Sequence, residues 1–325
     1  MTDSKVKAIF IGGTGRSGTT VLGKILNKHN QIYCFPQEIR FITDPDGLLS
    51  LQNSLVNDWS KFHSDFGMTR FICLMDHLRI KYKGRYPNHG LSDLVTQEFY
   101  DSWVKDFTNE LIGHSFKSGW AARVNIFNKS LIKILGKNAI TEKFLNNSFY
   151  CPPLSLEDFE KKACKFILNF FHQAAILNNS KMVIEHTPSN LLHFGFILNM
   201  IPNAKLIHIY RDPRDVICSY KTKDWGSSDI GENANWIKDV LNQWELKKRS
   251  LHSSSFLELS FEELIFSFES KMKTICEFLE ISFDDKFKDV DLSHHNIDRW
   301  KKDLDADEKV ILNEKFSDLV DLYGY

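Results

Sequence analysis

The stretch Gly12-Gly13-Thr14-Gly15-Arg16-Ser17-Gly18-Thr19-Thr20 limits this chain's fold more than any other. It follows an apolar run, Val6 to Ile11, which reads as a buried parallel strand because it is hydrophobic without alternation. It precedes Thr19 to His29, where Val21, Leu22, Ile25 and Leu26 share one helical face. Strand, glycine-rich turn and helix in this order build an anion cradle. Glycine lets the backbone turn sharply and bring its N–H groups close to an anion. The following helix adds unsatisfied N–H groups and the positive end of its dipole. Gly15, Arg16, Ser17, Gly18, Thr19 and Thr20 are therefore candidate phosphate ligands.

Gly13 and Gly18 have the spacing of the nucleotide-triphosphatase loop, Gly-x4-Gly-Lys-[Ser/Thr], but Thr19 stands at the lysine position and the cation is Arg16, inside the loop. A triphosphatase needs that lysine on the β- and γ-phosphates. The anion here is instead one that a planar guanidinium serves well. A nucleotide kinase or other phosphotransferase stays open as a rival, weakened by Thr19 and by the absence of a clear strand-terminal magnesium aspartate.

A second motif runs from Leu206 to Val216, with a strand over Ala204 to Tyr210, then Arg211, and Ser219 eight residues after it. Gly-x-x-Arg-Ser-Gly-Thr-Thr resembles the 5′-phosphosulfate loop of sulfotransferases, and the second motif resembles their 3′-phosphate motif. The resemblance spans roughly residues 6 to 300 and is weakest in the middle third. It implies transfer of a sulfuryl group from 3′-phosphoadenosine-5′-phosphosulfate to an acceptor hydroxyl, or less readily an amine, releasing adenosine 3′,5′-bisphosphate without a metal. It also implies that Arg211 and Ser219 hold the 3′-phosphate, a task suited to the guanidinium fork. Asp212 reads as a helix cap with Pro213 at the first helical position, so Asp212 and Asp215 are structural.

Glu38 lies 22 residues after Arg16, just past a short strand from Ile32 to Phe35. A doubly wound sheet puts it at the carboxyl edge beside the loop. Tyrosylprotein sulfotransferases have a similar Glu-x-Arg, and the resemblance implies a general base that takes the acceptor's proton. The alternative is a surface acid paired with Arg40. His186 follows a strand from Lys181 to Glu185, where relatives often carry a lysine aimed at the leaving phosphate. It reads as a donor to the bridging oxygen, as a second-choice base, or as a strand-end histidine satisfied by backbone. Near the end, Arg299-Trp300-Lys301 resembles a segment that closes over the nucleotide, with Arg299 and Lys301 on the 3′-phosphate and Trp300 over the adenine. The other reading is a solvated basic turn. Where relatives have Tyr-Glu-x-Leu this chain has Phe261-Glu262-Glu263-Leu264, so a tyrosine hydroxyl contact is lost. His186 and Phe261 keep open an inactive nucleotide-binding module.

With 325 residues, 42% of them hydrophobic, the chain suits one α/β domain with a central, mainly parallel sheet flanked by helices. A helical insertion over about residues 44–150 is expected to shape the acceptor pocket. Its aromatics, among them Trp59, Phe62, Phe66, Phe71, Trp103, Phe107, Phe116 and Trp120, read as pocket wall or as ordinary core. A net charge of −1 gives no field for nucleic acid or an anionic membrane. The six cysteines form no C-x-x-C pair and read as free thiols, and His294-His295 lacks a third ligand, so no metal site is expected. The segment Met1 to Lys7 is polar, and no apolar run reaches the ~18 residues of a membrane span, which points to a cytoplasmic enzyme. A small molecule, lipid, glycan or peptide acceptor stays open.

Overall fold

The computed structural model of the protein describes residues 6–79, 90–118, 146–223 and 226–325. Trp120 and the first five residues lie outside them. The strands are β1 (Lys7–Gly12), β2 (Ile32–Cys34), β3 (His114–Ser118), β4 (Asn146–Tyr150), β5 (Met182–Glu185), β6 (Lys205–Tyr210) and β7 (Phe256–Ser260). The helices used below are α1 (Thr19–Leu26), α2 (Lys61–Arg79), α3 (Gln97–Leu111), α4 (Leu156–Leu177), α5 (Asn190–Met200), α6 (Pro213–Tyr220), α7 (Ile230–Lys247), α8 (Phe261–Phe266), α9 (Phe268–Leu279), α10 (Trp300–Asp303) and α11 (Ala306–Tyr323). The chain forms two compact units, Met1–Arg40 with Phe170–Tyr325, and Phe41–Asn169.

The first unit is built on a five-stranded sheet of order β2-β5-β1-β6-β7 with every pairing parallel. Its strands are apolar runs rather than alternating ones because parallel sheets are covered on both faces. One face buries Ile9, Ile11, Ile184, Ile207 and Ile209 against Leu22, Ile25 and Leu26 of α1 and Met272, Ile275 and Leu279 of α9. A second cluster joins Val216 and Ile217 of α6, Ile237 and Leu241 of α7, and Leu312 and Phe316 of α11. β1 lies at the centre, so the loop that leaves its carboxyl end sits where open α/β sheets bind ligands. Asp212 accepts from the Arg214 amide at 2.9 Å and Pro213 opens α6, the expected cap. After β7 the chain forms two helices rather than one, because Ser267 leaves helical geometry (φ −124°, ψ 38°) between α8 and α9.

In the second unit, α2 and α3 are joined by an antiparallel pair, β3 with β4, which the helical reading of this region did not include. The two strands carry polar runs, His-Ser-Phe-Lys-Ser and Asn-Asn-Ser-Phe-Tyr, with little apolar alternation to reveal them. The aromatics here make a core. The Trp103 and Phe166 rings stack at 3.9 Å, Phe107 stacks on Phe166 at 4.1 Å, and Trp103 Nε1 donates to the Phe166 carbonyl at 2.8 Å. Trp59 and Phe62 are exposed. All six cysteines are free; Cys34, Cys151, Cys218 and Cys276 are buried, while Cys73 is exposed. Among the described residues no helix is long and apolar enough to cross a membrane.

Candidate active site

The loop between β1 and α1 closes through three left-handed residues, Gly15 (φ 73°), Arg16 (φ 57°) and Gly18 (φ 108°). Only glycine fits at position 18, since a Cβ there would lie 2.5 Å from the Phe261 ring as well as in a disfavoured conformation. Arg16 accepts the left-handed geometry at a cost of about 1–2 kcal/mol, and its side chain is thereby delivered across the sheet edge. Its Nε donates to Ser219 Oγ at 2.9 Å, joining the loop to α6. The next residue of α6, Tyr220, donates its hydroxyl to the Thr14 carbonyl at 2.5 Å and pins the loop's other end. Ser17 Oγ is fully buried and has no hydrogen-bond partner.

Arg211 leaves the carboxyl end of β6 with its side chain 8% exposed. Its Nη2 donates to Asp215 Oδ2 at 3.1 Å and to the Asn296 carbonyl, its guanidinium lies 5.2 Å from the Phe261 ring centroid, and its Nε is buried without a partner. Buried polar groups left unpaired are costly in a finished fold. Ser17 Oγ and Arg211 Nε are two buried groups that the protein itself leaves unpaired. Beside Arg16 and Arg211 lies a cavity of about 220 Å³, lined by Arg16, Gly18 to Val21, Arg211, Phe261, Ile265, Asp291, Leu292 and His294 to Asn296, which Ser17 does not line.

Asp215 is fully buried and accepts from Arg211, from the Asp298 amide at 2.9 Å and from the Trp300 amide at 3.0 Å. Burial pushes its carboxyl above the usual range, opposed by the Trp300 amide and by Arg211. Asp215 thus ties the late segment to α6, but not as the sequence suggested. Trp300 lies against the Arg214 guanidinium at 4.1 Å, Arg299 pairs with Asp303, and Lys301 pairs with Asp298 at 2.8 Å. None of the three lines the cavity; His294, His295 and Asn296, three to five residues earlier, do. The sequence signal was the His-His-Asn run itself, considered only as a metal ligand. Phe261, without its hydroxyl, serves as the apolar floor between Gly18 and Arg211.

Glu38 is half-buried and follows β2, so it shares the carboxyl edge of the sheet with the loop. It does not line the cavity. His186 follows β5, between β2 and β1 in the sheet, yet its ring turns inward and is 4% exposed. Its Nε2 donates to the Phe35 carbonyl at 3.0 Å, its Nδ1 is buried without a partner, and the ring packs near Gly23 of α1. Of the three sequence readings of His186, this geometry matches the backbone-satisfied strand end.

A match to the sulfotransferase family covers residues 8–285. An uncharacterised protein of Aquifex aeolicus (strain VF5) is 24% identical over 143 residues, which is 41% of this chain and 19% of that protein. The omega-hydroxy-beta-dihydromenaquinone-9 sulfotransferase Stf3 of Mycobacterium bovis is 20% identical over 190 residues, 53% of this chain and 47% of that one. The matches thus span less than half the length of these curated relatives. Among solved structures, the sulfotransferase domain from the Synechococcus PCC 7002 olefin synthase aligns over 96% of this chain and 94% of its own, at 16% identity and a TM-score of 0.48. With most of its length inside the family match, the chain belongs to the sulfotransferase family.

Proposed function

We propose that this protein transfers a sulfuryl group from 3′-phosphoadenosine-5′-phosphosulfate to an acceptor hydroxyl and releases adenosine 3′,5′-bisphosphate. The carrying observation is the bond from Arg16 to Ser219, which makes one anion cradle of the loop and the second motif. Glu38 takes the acceptor proton as the new O–S bond forms. Arg16, Ser17, Thr19, Thr20 and the loop amides hold the 5′-phosphosulfate and stabilise charge growing on the leaving phosphate. Arg211 and Ser219 hold the 3′-phosphate and set the register. His186 is given no step, because its ring is buried against the Phe35 carbonyl and does not line the cavity. Arg299, Trp300 and Lys301 act through their ties to Asp298, Asp303, Arg214 and Asp215 rather than on the nucleotide. The name of the mycobacterial relative, an omega-hydroxy dihydromenaquinone sulfotransferase, supports an alcohol as the acceptor class.

Calorimetric titration with adenosine 3′,5′-bisphosphate, beside 5′-AMP and ATP with magnesium, tests the reading. Tight binding that needs the 3′-phosphate supports it. Preference for ATP with magnesium overturns it in favour of a phosphotransferase.

A further inference from the structure

We propose that Glu185 is a positioning residue that fixes Glu38 against the phosphosulfate loop. This rests on the reading of Glu38 as the base. Glu185 ends β5 and is 1% exposed. Its Oε1 accepts from the Ile39 amide at 3.2 Å, from the Thr187 amide at 3.0 Å and from the Thr187 hydroxyl. Its Oε2 accepts from Asn190 Nδ2. Four donors therefore converge on one buried carboxylate. The Ile39 amide belongs to the segment that carries Glu38, whose other end is set by Phe35, held to the Ile184 carbonyl at 3.0 Å. Thr187 and Asn190 belong to the turn under the loop. In that turn the Pro188 carbonyl accepts from the Gly13 amide at 3.3 Å, and the Leu191 backbone packs so closely that a Cβ on Gly12 would meet it at 2.7 Å. One side chain thus bonds both to the segment of the base and to the turn that seats the cradle. Because both its oxygens only accept, an amide would turn an N–H₂ group toward a donor. A misplacement of the base by about 1 Å is enough to cost about a hundredfold in rate.

The test uses water as the acceptor, so that no alcohol need be known. A water oxygen bonds to sulfur, the bond from sulfur to the 5′-phosphate oxygen breaks with its electron pair leaving on adenosine 3′,5′-bisphosphate, and the water's proton passes to Glu38. Release of adenosine 3′,5′-bisphosphate is followed in wild type, Glu185→Gln, Glu38→Gln and the double variant. Glu185→Gln is expected to slow turnover about tenfold to a hundredfold and to leave adenosine 3′,5′-bisphosphate affinity within about twofold. On top of Glu38→Gln it should add less than about threefold, because residues acting as a unit are not additive. An unchanged rate, or the same factor in both backgrounds, overturns the role. Full rate in Glu38→Gln overturns the base assignment, and a wild type that does not bind the bisphosphate overturns the function, each recognisably separate. Should Glu185→Gln not fold, Glu185→Asp keeps the charge but draws it back by one methylene. Amide exchange supplies a readout free of turnover. The segment Pro36–Arg40 should exchange about tenfold faster in either variant, and unchanged exchange there overturns the proposal.

Discussion

Arg16 and Ser219 stand 203 residues apart in the chain, yet Arg16 Nε donates to Ser219 Oγ at 2.9 Å. The bond sets the guanidinium between the loop and the last turn of α6, where Tyr220 also reaches back to the Thr14 carbonyl. On the proposed reading, a nucleotide with phosphates at both ends would meet a charge already aimed, so less ordering would remain to be done on binding.

Ser219→Ala should free that guanidinium and remove a hydroxyl from the 3′-phosphate site. A hydrogen bond to a charged group contributes about 1.5–3 kcal/mol, so affinity for adenosine 3′,5′-bisphosphate should fall by at least about tenfold. Affinity for 5′-AMP should fall much less. Calorimetry on both ligands checks this, and equal losses would remove Ser219 from the 3′-phosphate.

Arg211→Lys makes a sharper version of the same argument. The native fork serves Asp215 and the Asn296 carbonyl while its Nε stays unpartnered. An ammonium keeps charge beside buried Asp215 but lacks the fork. The expected result is a stable protein whose adenosine 3′,5′-bisphosphate affinity drops about tenfold or more. A wild-type Kd in that variant would exclude Arg211 from the ligand set.

Much of this was legible in the sequence because it is local. The parallel strands announce themselves as apolar runs, the cradle as glycines at fixed spacing, and the α6 cap as Asp212-Pro213. What was not legible is partly local, as in the polar β3 and β4 and the break at Ser267, and partly long-range. Arg299-Trp300-Lys301 has the right composition for a nucleotide lid, but the Asp215 carboxylate draws the Asp298 and Trp300 amides toward α6, and His294 to Asn296 come to line the cavity instead. His186 stands at a chemically suggestive position, yet its direction is decided by the Phe35 carbonyl, on a neighbouring strand's end. Glu185 escaped notice because a glutamate ending a strand signals nothing until Ile39, Thr187 and Asn190 are seen to converge on it.

Glu38→Gln keeps the size and half-burial of the side chain and removes its ability to accept a proton. Turnover should fall by about two to four orders of magnitude, and the Kd for adenosine 3′,5′-bisphosphate should stay within about twofold. Single-turnover transfer from radiolabelled donor separates the two quantities. A variant that keeps the wild-type rate would show that the proton goes elsewhere.

Stability should depend on pH through a partly buried carboxylate, Glu258 on β7. It contacts His208 Nδ1 at 3.1 Å and accepts from Trp244 Nε1 at 2.8 Å and from Lys248 Nζ at 2.9 Å. Burial alone would raise its pKa, but His208, Trp244 and Lys248 outweigh burial and hold it at about 2. Burial lowers the pKa of His208 below 6.5, against the opposing pull of Glu258. Both folded values lie below the unfolded ones, so on acidification the unfolded chain takes up protons first. The stabilisation is complete above pH 6.5 and is lost below it, first through His208 and then through Glu258 between pH 4.5 and about 2. The Glu258 share is on the order of 3 kcal/mol at neutral pH. Thermal melts should therefore show a flat Tm from about pH 7 to 8 and a steady fall on acidification. Glu258→Gln should lower Tm at pH 7 and flatten the slope below pH 4.5. A wild-type Tm as high at pH 4 as at pH 7, with Glu258→Gln giving the same profile, would contradict the assignment, since the one opposing buried carboxyl described above, Asp215, is common to both proteins.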